Sequence, residues 1–303
     1  LQNPVLDPKA NQAQIPQEAF DWYDEYAHGV IDRREFFGRL AGLAALGFSM
    51  TTLTGALLPN YARAEQVSFN DPKISASYVG FDSPKGHGQC QGYLVMPKDL
   101  SIKAPVVLVV HENRGLNPYI EDVARRLAVK GYIAFAPDAL FPLGGYPGND
   151  DKGREMQKSM DPAKLEQDFI AAAEFIKGHE QSSGKLGAVG FCYGGYIVNM
   201  LAATMPEKLD AGVPYYGTPA KGDLINQVKG PLLLHFAGLD QRVNATWLDY
   251  ETALKNNNAD YKAYVYPDVN HGFHNDSTGR YAKKDAEESW QRTLDFFDKE
   301  LAV

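Results

Sequence analysis

A cysteine between glycines is the first candidate for chemistry in this chain of 303 residues. Cys192 stands in Gly-Phe-Cys-Tyr-Gly-Gly, residues 190–195, between an apolar β-like run and a helix-like run. A side chain on a sharp strand-to-helix turn needs small neighbours, because a Cβ atom there collides with the strand or the helix. The first N–H groups of the helix favour a thiolate and a developing oxyanion. The pattern predicts a nucleophile; a buried, inert cysteine in a glycine-rich corner is the alternative.

Two more polar residues follow predicted strands further along the chain. Asp240 comes after the apolar run 231–237, and His271 lies in the loop after the alternating run 261–266. Residues placed just past parallel strands can meet at one edge of a sheet, and this order of nucleophile, acid and base is that of α/β-hydrolases. The spacing predicts a triad in which Cys192 attacks a carbonyl, His271 transfers protons and Asp240 orients the imidazole.

The segments that must position these residues alternate between β-like and helix-like from Tyr78 onward. Such alternation is typical of a mostly parallel sheet with helices on both faces. The predicted strands are 75–81, 88–96, 105–111, 132–137, 185–191, 211–216, 231–237 and 261–266, and the predicted helices are 118–130, 162–178, 193–204, 244–256 and 285–301. Residues 140–160 are rich in Gly and Pro, so we expect a long loop that walls a substrate pocket. The fold class predicted is therefore α/β.

Several motifs resemble the dienelactone hydrolase family. They are GFCYGG, AGLDQRV and VNHGFHND, with VVLVVHENRGL and YIAFAPDAL upstream, and the resemblance runs from about Tyr78 to Leu301. It implies an α/β-hydrolase fold with about eight strands and a hydrolase of esters or lactones that needs no cofactor. It also implies Cys192 as the nucleophile, with Asp240 and His271 completing the triad.

The resemblance assigns roles to the residues after the predicted strand 105–111 as well. Glu112 matches the extra carboxylate of the family, which keeps the resting thiol quiet and takes part in activating it when substrate arrives. The oxyanion hole would come from the backbone N–H groups of Asn113 and Tyr193. Glu112 is therefore expected within contact distance of Cys192.

One departure from the family bears on the substrate. Enzymes of this family that act on dienelactone carry an arginine a few residues after the triad histidine, where it binds the substrate carboxylate. Here residues 272–276 read Gly-Phe-His-Asn-Asp, and the next arginine is Arg280. Arg114 and Arg242 are candidates for binding an anionic substrate, or for forming rim ion pairs. Tyr146 is a candidate pocket wall. We expect neutral short-chain esters or lactones to be hydrolysed at least as well as dienelactones.

The same residues are compatible with other functions. A thioesterase or peptidase-like acyl hydrolase is compatible with the triad, and a non-catalytic α/β-hydrolase-fold binding protein is the alternative from another class. A net charge of -8 argues against nucleic acid as a partner. No nucleotide-binding glycine loop is present, so no cofactor is expected. The spacing of His271 and His274 lacks a Cys or carboxylate framework within the loop, so no metal is expected.

Residues 1–64 form an extension to the predicted catalytic domain, residues 65–303. After a polar, extended stretch and a short helix over residues 18–29, Arg33 and Arg34 precede an apolar run at 40–58 and Ala-Arg-Ala at 62–64. This pattern resembles a twin-arginine export signal and predicts a periplasmic or exported protein. The alternative is a helical arm that packs on the domain or on a second subunit of a homo-oligomer, in a cytoplasmic protein. Gly and Thr dilute the apolar run, so no stable membrane span is expected.

Overall fold

The computed structural model describes residues 15–303, and one mixed sheet forms their centre. Its strands are β1 (Ile74–Ser83), β2 (Gly88–Pro97), β3 (Ala104–Val110), β4 (Ile133–Pro137), β5 (Ser182–Phe191), β6 (Ala211–Tyr215), β7 (Leu232–Ala237) and β8 (Tyr261–Tyr266). Their spatial order is β1-β2-β4-β3-β5-β6-β7-β8, with β2 antiparallel to both neighbours and the other pairs parallel. The predicted α/β-hydrolase fold is confirmed.

Helices cover both faces of the sheet. They are α1 (Gln17–Ala27), α2 (Arg33–Ala45), α3 (Met50–Leu57), α4 (Pro118–Val129), α5 (Asp150–Ser159), α6 (Pro162–Lys177), α7 (Tyr193–Thr204), α8 (Gln241–Asn244), α9 (Trp247–Asn256) and α10 (Lys283–Glu300). Helices α6, α7 and α9 pack in one apolar core, and α4 and α10 pack in the other. Strand β3 is buried on both faces, which explains its continuous apolar run.

Two predicted segments differ from the structure. The stretch 140–160, expected to be a loop, contains helix α5, whose first turn is capped by Asn149. Its buried residues are only Gly153 and Gln157, so no apolar periodicity marked it in the sequence. The helix predicted at 244–256 begins three residues later, as α9, and the short helix α8 precedes it.

Residues 15–64 pack against the catalytic domain as helices α1 to α3 and a short 3₁₀ turn; we call this segment the arm. Its own small core includes Phe36, Leu40 and Leu53. The guanidinium of Arg280 lies 4.6 Å from the ring centroid of Tyr23, which joins the arm to the domain. Within the described chain, none of the helices combines the length and apolarity that a membrane span requires. Residues 1–14 of the predicted extended stretch lie outside the described residues, and export stays a prediction.

The turn from β5 into α7 is strained and closely packed. Cys192 has φ 58° and ψ -113°, a backbone conformation that costs a non-glycine residue about 1–3 kcal/mol. A Cβ on Gly190 would lie 2.1 Å from the carbonyl oxygen of Gly194, and one on Gly194 would lie 2.2 Å from that of Val110. Glycine is therefore required on both sides of the cysteine.

We expect Gly190→Ala to lower the free energy of unfolding by about 2 kcal/mol or more, because the neighbouring backbone must move to admit the methyl group. Gly42→Ala is the matched control, since its Cβ in α2 meets no atom within 4 Å. An alanine there should be neutral or stabilising by about 0.5–1 kcal/mol. Urea unfolding of the two variants measures the difference, and equal stabilities would contradict the packing argument.

Candidate active site

The structure brings Cys192, Asp240 and His271 together at the carboxyl edge of the sheet. Asp240 caps α8 by accepting the Val243 N–H at 3.0 Å, and its other oxygen accepts the Nδ1–H of His271 at 2.5 Å. A ring nitrogen of His271 lies within 4.8 Å of Cys192 Sγ. Among the described residues, His271 Nε2 has no hydrogen-bond partner although it is buried. This nitrogen is therefore free to exchange a proton at the thiol.

The charges around the sulfur favour its thiolate form. Burial alone would raise the pKa of the Cys192 thiol, but His271 and then His28 outweigh it and hold that pKa well below its ordinary value. Burial would likewise lower the pKa of His271, whereas the carboxylates of Asp24 and Asp240 and the sulfur raise it to about 10. Both shifts favour a thiolate beside an imidazolium over the neutral pair.

Sequence reasoning missed one residue of the site, His28, which the arm places against the nucleophile. Its Nε2 lies 3.2 Å from Cys192 Sγ, and its ring centroid is 4.8 Å from that of His271. Its Nδ1 donates to the carbonyl oxygen of Asp24 at 2.8 Å. In the sequence, His28 before Gly29 is typical of the end of a helix, and nothing local connects it to a cysteine 164 positions away.

The predicted oxyanion donors have free N–H groups. Within residues 15–303, no hydrogen bond engages the backbone N–H of Asn113, and that of Tyr193 belongs to the first turn of α7, where helical acceptors are missing. The Asn113 side chain donates to the carbonyl oxygen of Ala27 at 2.7 Å and so fixes the arm beside the site.

Glu112 and Arg114 form a buried ion pair instead of facing the cavity. Glu112 Oε2 lies 3.4 Å from Arg114 Nε and accepts a hydrogen bond from Asn275 at 3.2 Å. Arg114 Nη1 also donates to Asp150 at 2.9 Å. No hydrogen bond among the described residues joins Glu112 to Cys192, so the predicted control of the thiol by Glu112 stays a prediction.

A cavity of about 220 Å³ opens over the sulfur. Its lining includes His28, Asn113, Cys192, Tyr193, Tyr196, Tyr216, Thr218, Lys221, Arg242 and His271. Of the predicted substrate-binding residues, the structure brings Arg242 to this cavity but neither Arg114 nor Tyr146. Tyr146 donates its hydroxyl to Asp150 at 2.7 Å. Arg114 is enclosed by its two carboxylates, so no guanidinium edge is left for a substrate.

Three of these side chains offer atoms that could also ligate a metal ion. One ligand atom each from His28, Cys192 and His271 lies within 4.8 Å of the others. The histidine pair considered in the sequence, His271 and His274, does not share a site, because His274 Nδ1 is 2.6 Å from the Tyr119 hydroxyl in the buried core.

We expect Asp150→Asn to lower the free energy of unfolding by about 3 kcal/mol, because it removes a charge that a buried guanidinium needs. Asp151→Asn is the control: this neighbouring carboxylate is more exposed and pairs with Arg33 and Arg154. Its loss should cost less than about 1 kcal/mol. Thermal or urea unfolding checks the ranking, and an equal cost for both variants would argue against a structural Arg114–Asp150 pair.

Two models of known protein families match the chain. The model of the dienelactone hydrolase family matches residues 90–301, and a model described as YqhI-like matches residues 7–45. The second match falls on the segment that contains His28.

Known proteins resemble the chain to different extents. "Putative hydrolase fragment YghX" of Escherichia coli K12 is 66% identical over 106 residues, which cover 35% of this chain and 91% of that protein. "Putative carboxymethylenebutenolidase" of Aquifex aeolicus is 34% identical, covering 68% of this chain and 92% of its own length. Among solved structures, "Putative Dienelactone Hydrolase" of Klebsiella pneumoniae is 27% identical with a TM-score of 0.65, over 74% of this chain and 98% of that one.

Proposed function

The chain belongs to the dienelactone hydrolase family, and from this premise we propose that it hydrolyses a small ester or lactone through Cys192, His271 and Asp240. One observation carries the proposal: His271 is held by Asp240 through Nδ1 and leaves a buried, unpartnered Nε2 beside the sulfur. An imidazole fixed in this way can give and take protons at a reacting centre.

The reaction takes place in two halves. The Cys192 thiolate adds to the carbonyl carbon, and the N–H groups of Asn113 and Tyr193 stabilise the oxyanion. The tetrahedral intermediate collapses as the C–O bond to the leaving group breaks, and the His271 imidazolium gives its proton to that oxygen. Water then attacks the thioester while neutral His271 takes up a proton, and cleavage of the C–S bond releases the acid and restores the thiolate.

We expect Cys192→Ala to abolish hydrolysis of p-nitrophenyl acetate, and iodoacetamide to inactivate the parent protein at the same site. Cys90→Ala is the matched control, since Cys90 is the other cysteine of the chain. Burial and then the nearby Asp168 raise the pKa of its thiol to about 12, so this sulfur is a poor nucleophile. Hydrolysis that survives Cys192→Ala, or that is lost equally in Cys90→Ala, would overturn the proposal. Thioesters and peptides tested beside esters and lactones separate this activity from the alternative acyl hydrolases.

The cavity favours a small and neutral substrate. Its volume of about 220 Å³ fits a short acyl chain or a small lactone ring. Of the lysine and the arginine that line it, Lys221 lies over the ring of Tyr196 at 4.6 Å, and Arg242 lies 3.5 Å from Asp24. Because neither cation is presented as a fork for a carboxylate, the site supports binding of an uncharged ester or lactone.

We therefore expect kcat/KM for a neutral lactone to equal or exceed that for its carboxylate-bearing analogue. A charge-assisted contact is worth about 1.5–3 kcal/mol, so a dedicated carboxylate site would favour the anion by roughly one to two decades. Steady-state kinetics on the two compounds decide the point, with Arg242→Gln as the diagnostic variant. A strong preference for the anion that Arg242→Gln abolishes would show that the arginine binds substrate.

A further inference from the structure

We propose that His28, held by Asp24, is a second catalytic imidazole on Cys192, which makes the amino-terminal arm a part of the active site. The proposal rests on the proposed nucleophilic role of Cys192. It assigns His28 the role of a positive partner to the thiolate, while His271 carries out the proton transfers.

Two similar pairs of an imidazole and a carboxylate lie beside the sulfur. In the first pair, His271 donates from Nδ1 to Asp240 at 2.5 Å. In the second pair, His28 donates from Nδ1 to the Asp24 backbone oxygen at 2.8 Å, and the Asp24 carboxylate lies 3.3 Å from the same nitrogen. Because Nδ1 is the donor in both pairs, Nε2 is left for the thiol: that of His28 lies 3.2 Å from Sγ, and that of His271 is buried without a partner. A carboxylate behind an imidazole orients the ring and stabilises its charged form.

Several contacts hold His28 at this place. Asn113, beside a predicted oxyanion donor, donates to the carbonyl oxygen of Ala27, the residue before His28. Gly29 has φ +71°, so the chain turns away immediately after the histidine. In α3, the carbonyl oxygen of Ala56 approaches Gly279 so closely that a Cβ there would lie 1.3 Å away. The arm is thus fitted to the domain at several places, in addition to the contact between His28 and Cys192.

The charges that face His28 come from several elements. Burial lowers the pKa of His28, but the sulfur of Cys192 and the carboxylate of Asp24 outweigh it and raise that pKa above its ordinary value. The guanidinium of Arg242 lies 2.9 Å from His28 Nε2, and its positive charge opposes protonation of His28. Asp24, which is paired with Arg242, offsets part of that charge. The other charged groups nearby are His271, Arg280 and Lys221. The thiolate and Asp24 together favour imidazolium at position 28.

This arrangement gives the thiolate a partner other than the family carboxylate. Glu112 is held by Arg114 and Asn275, whereas His28 touches the sulfur. A cation at this distance favours the thiolate over the thiol. Cys192 is then ready for attack before substrate binds, and no proton has to leave His28 during the reaction.

The test is the pH dependence of iodoacetamide alkylation of Cys192 in the full-length protein. His28→Gln should move the midpoint upward by about one pH unit or more, because loss of the cation raises the thiol pKa. Below the midpoint, alkylation at a given pH should then slow by about tenfold per unit. Asp24→Asn should move it in the same direction. Arg39→Gln is the control, because its ion pairs with Glu25 and Glu35 lie within the arm and away from the sulfur.

Ester hydrolysis gives a second measurement. His28→Gln should lower kcat at neutral pH more than it changes KM, and in His28→Gly added imidazole should restore part of the rate. Thermal unfolding of each variant shows whether it is folded. A folded His28→Gln protein with the parent's alkylation profile would overturn the proposal. Faster alkylation in that variant would also overturn it, since the arm would then only shield the sulfur.

Two further outcomes distinguish this inference from a metal site and from the proposed hydrolase function. EDTA treatment of the parent protein tests for a metal ion. If EDTA reproduces the alkylation profile of His28→Gln and added Zn²⁺ reverses the effect of EDTA, His28 is a metal ligand with Cys192 and His271. The proposal then fails. If Cys192→Ala abolishes hydrolysis while His28→Gln leaves alkylation unchanged, only this inference is overturned. Alkylation reports the thiolate even when no ester is turned over, so failure of the proposed function is distinguishable.

Discussion

The strained turn at Cys192 is the constraint on which the site depends. Cys192 has a positive φ, which directs its side chain out of the edge of the sheet. This turn is possible only because Gly190 and Gly194 have no Cβ atom, so that the strand and the helix can pack closely. The same turn leaves the N–H of Tyr193 without a helical acceptor. One backbone conformation therefore fixes both the sulfur and the free N–H of Tyr193, which is a predicted oxyanion donor.

Buried charge is the second constraint, and it connects the domain to the arm. Arg114 joins Glu112 to Asp150, and Asp150 accepts the hydroxyl of Tyr61 at 2.8 Å. Replacing such a network with apolar residues can leave stability unchanged, whereas removing one member leaves an uncompensated charge. The buried network fixes positions in the fold. The loop after β3, helix α5 and the end of the arm must adopt one arrangement if each buried charge is to have a partner.

The sequence predicted what local pattern and chain order determine. Every predicted strand is present, because buried parallel strands are apolar runs between turn residues, and Asp240 and His271 follow their strands as expected. What failed depends on tertiary contacts. Helix α5 buries no large apolar side chain, so the sequence has no apolar periodicity there. Arg114 was a candidate for binding substrate in the sequence, but the fold pairs it with two buried carboxylates. His28 is the clearest case, since its position beside Cys192 depends on the packing of residues that are 164 positions apart in the chain.

Thermodynamic linkage makes the arm and the thiolate mutually dependent. If the docked arm stabilises the thiolate through His28, the thiolate must stabilise the docked arm by the same free energy. Neutralising the sulfur, by acid or by formation of the thioester, removes part of the interaction that holds α1 over the cavity. The contacts of Asn113 and Arg280 with the arm do not involve the sulfur and are unaffected. If Cys192 forms the proposed thioester, the interaction between the arm and the cavity is therefore strongest with the free thiolate and weakest in the acyl-enzyme, when water must enter.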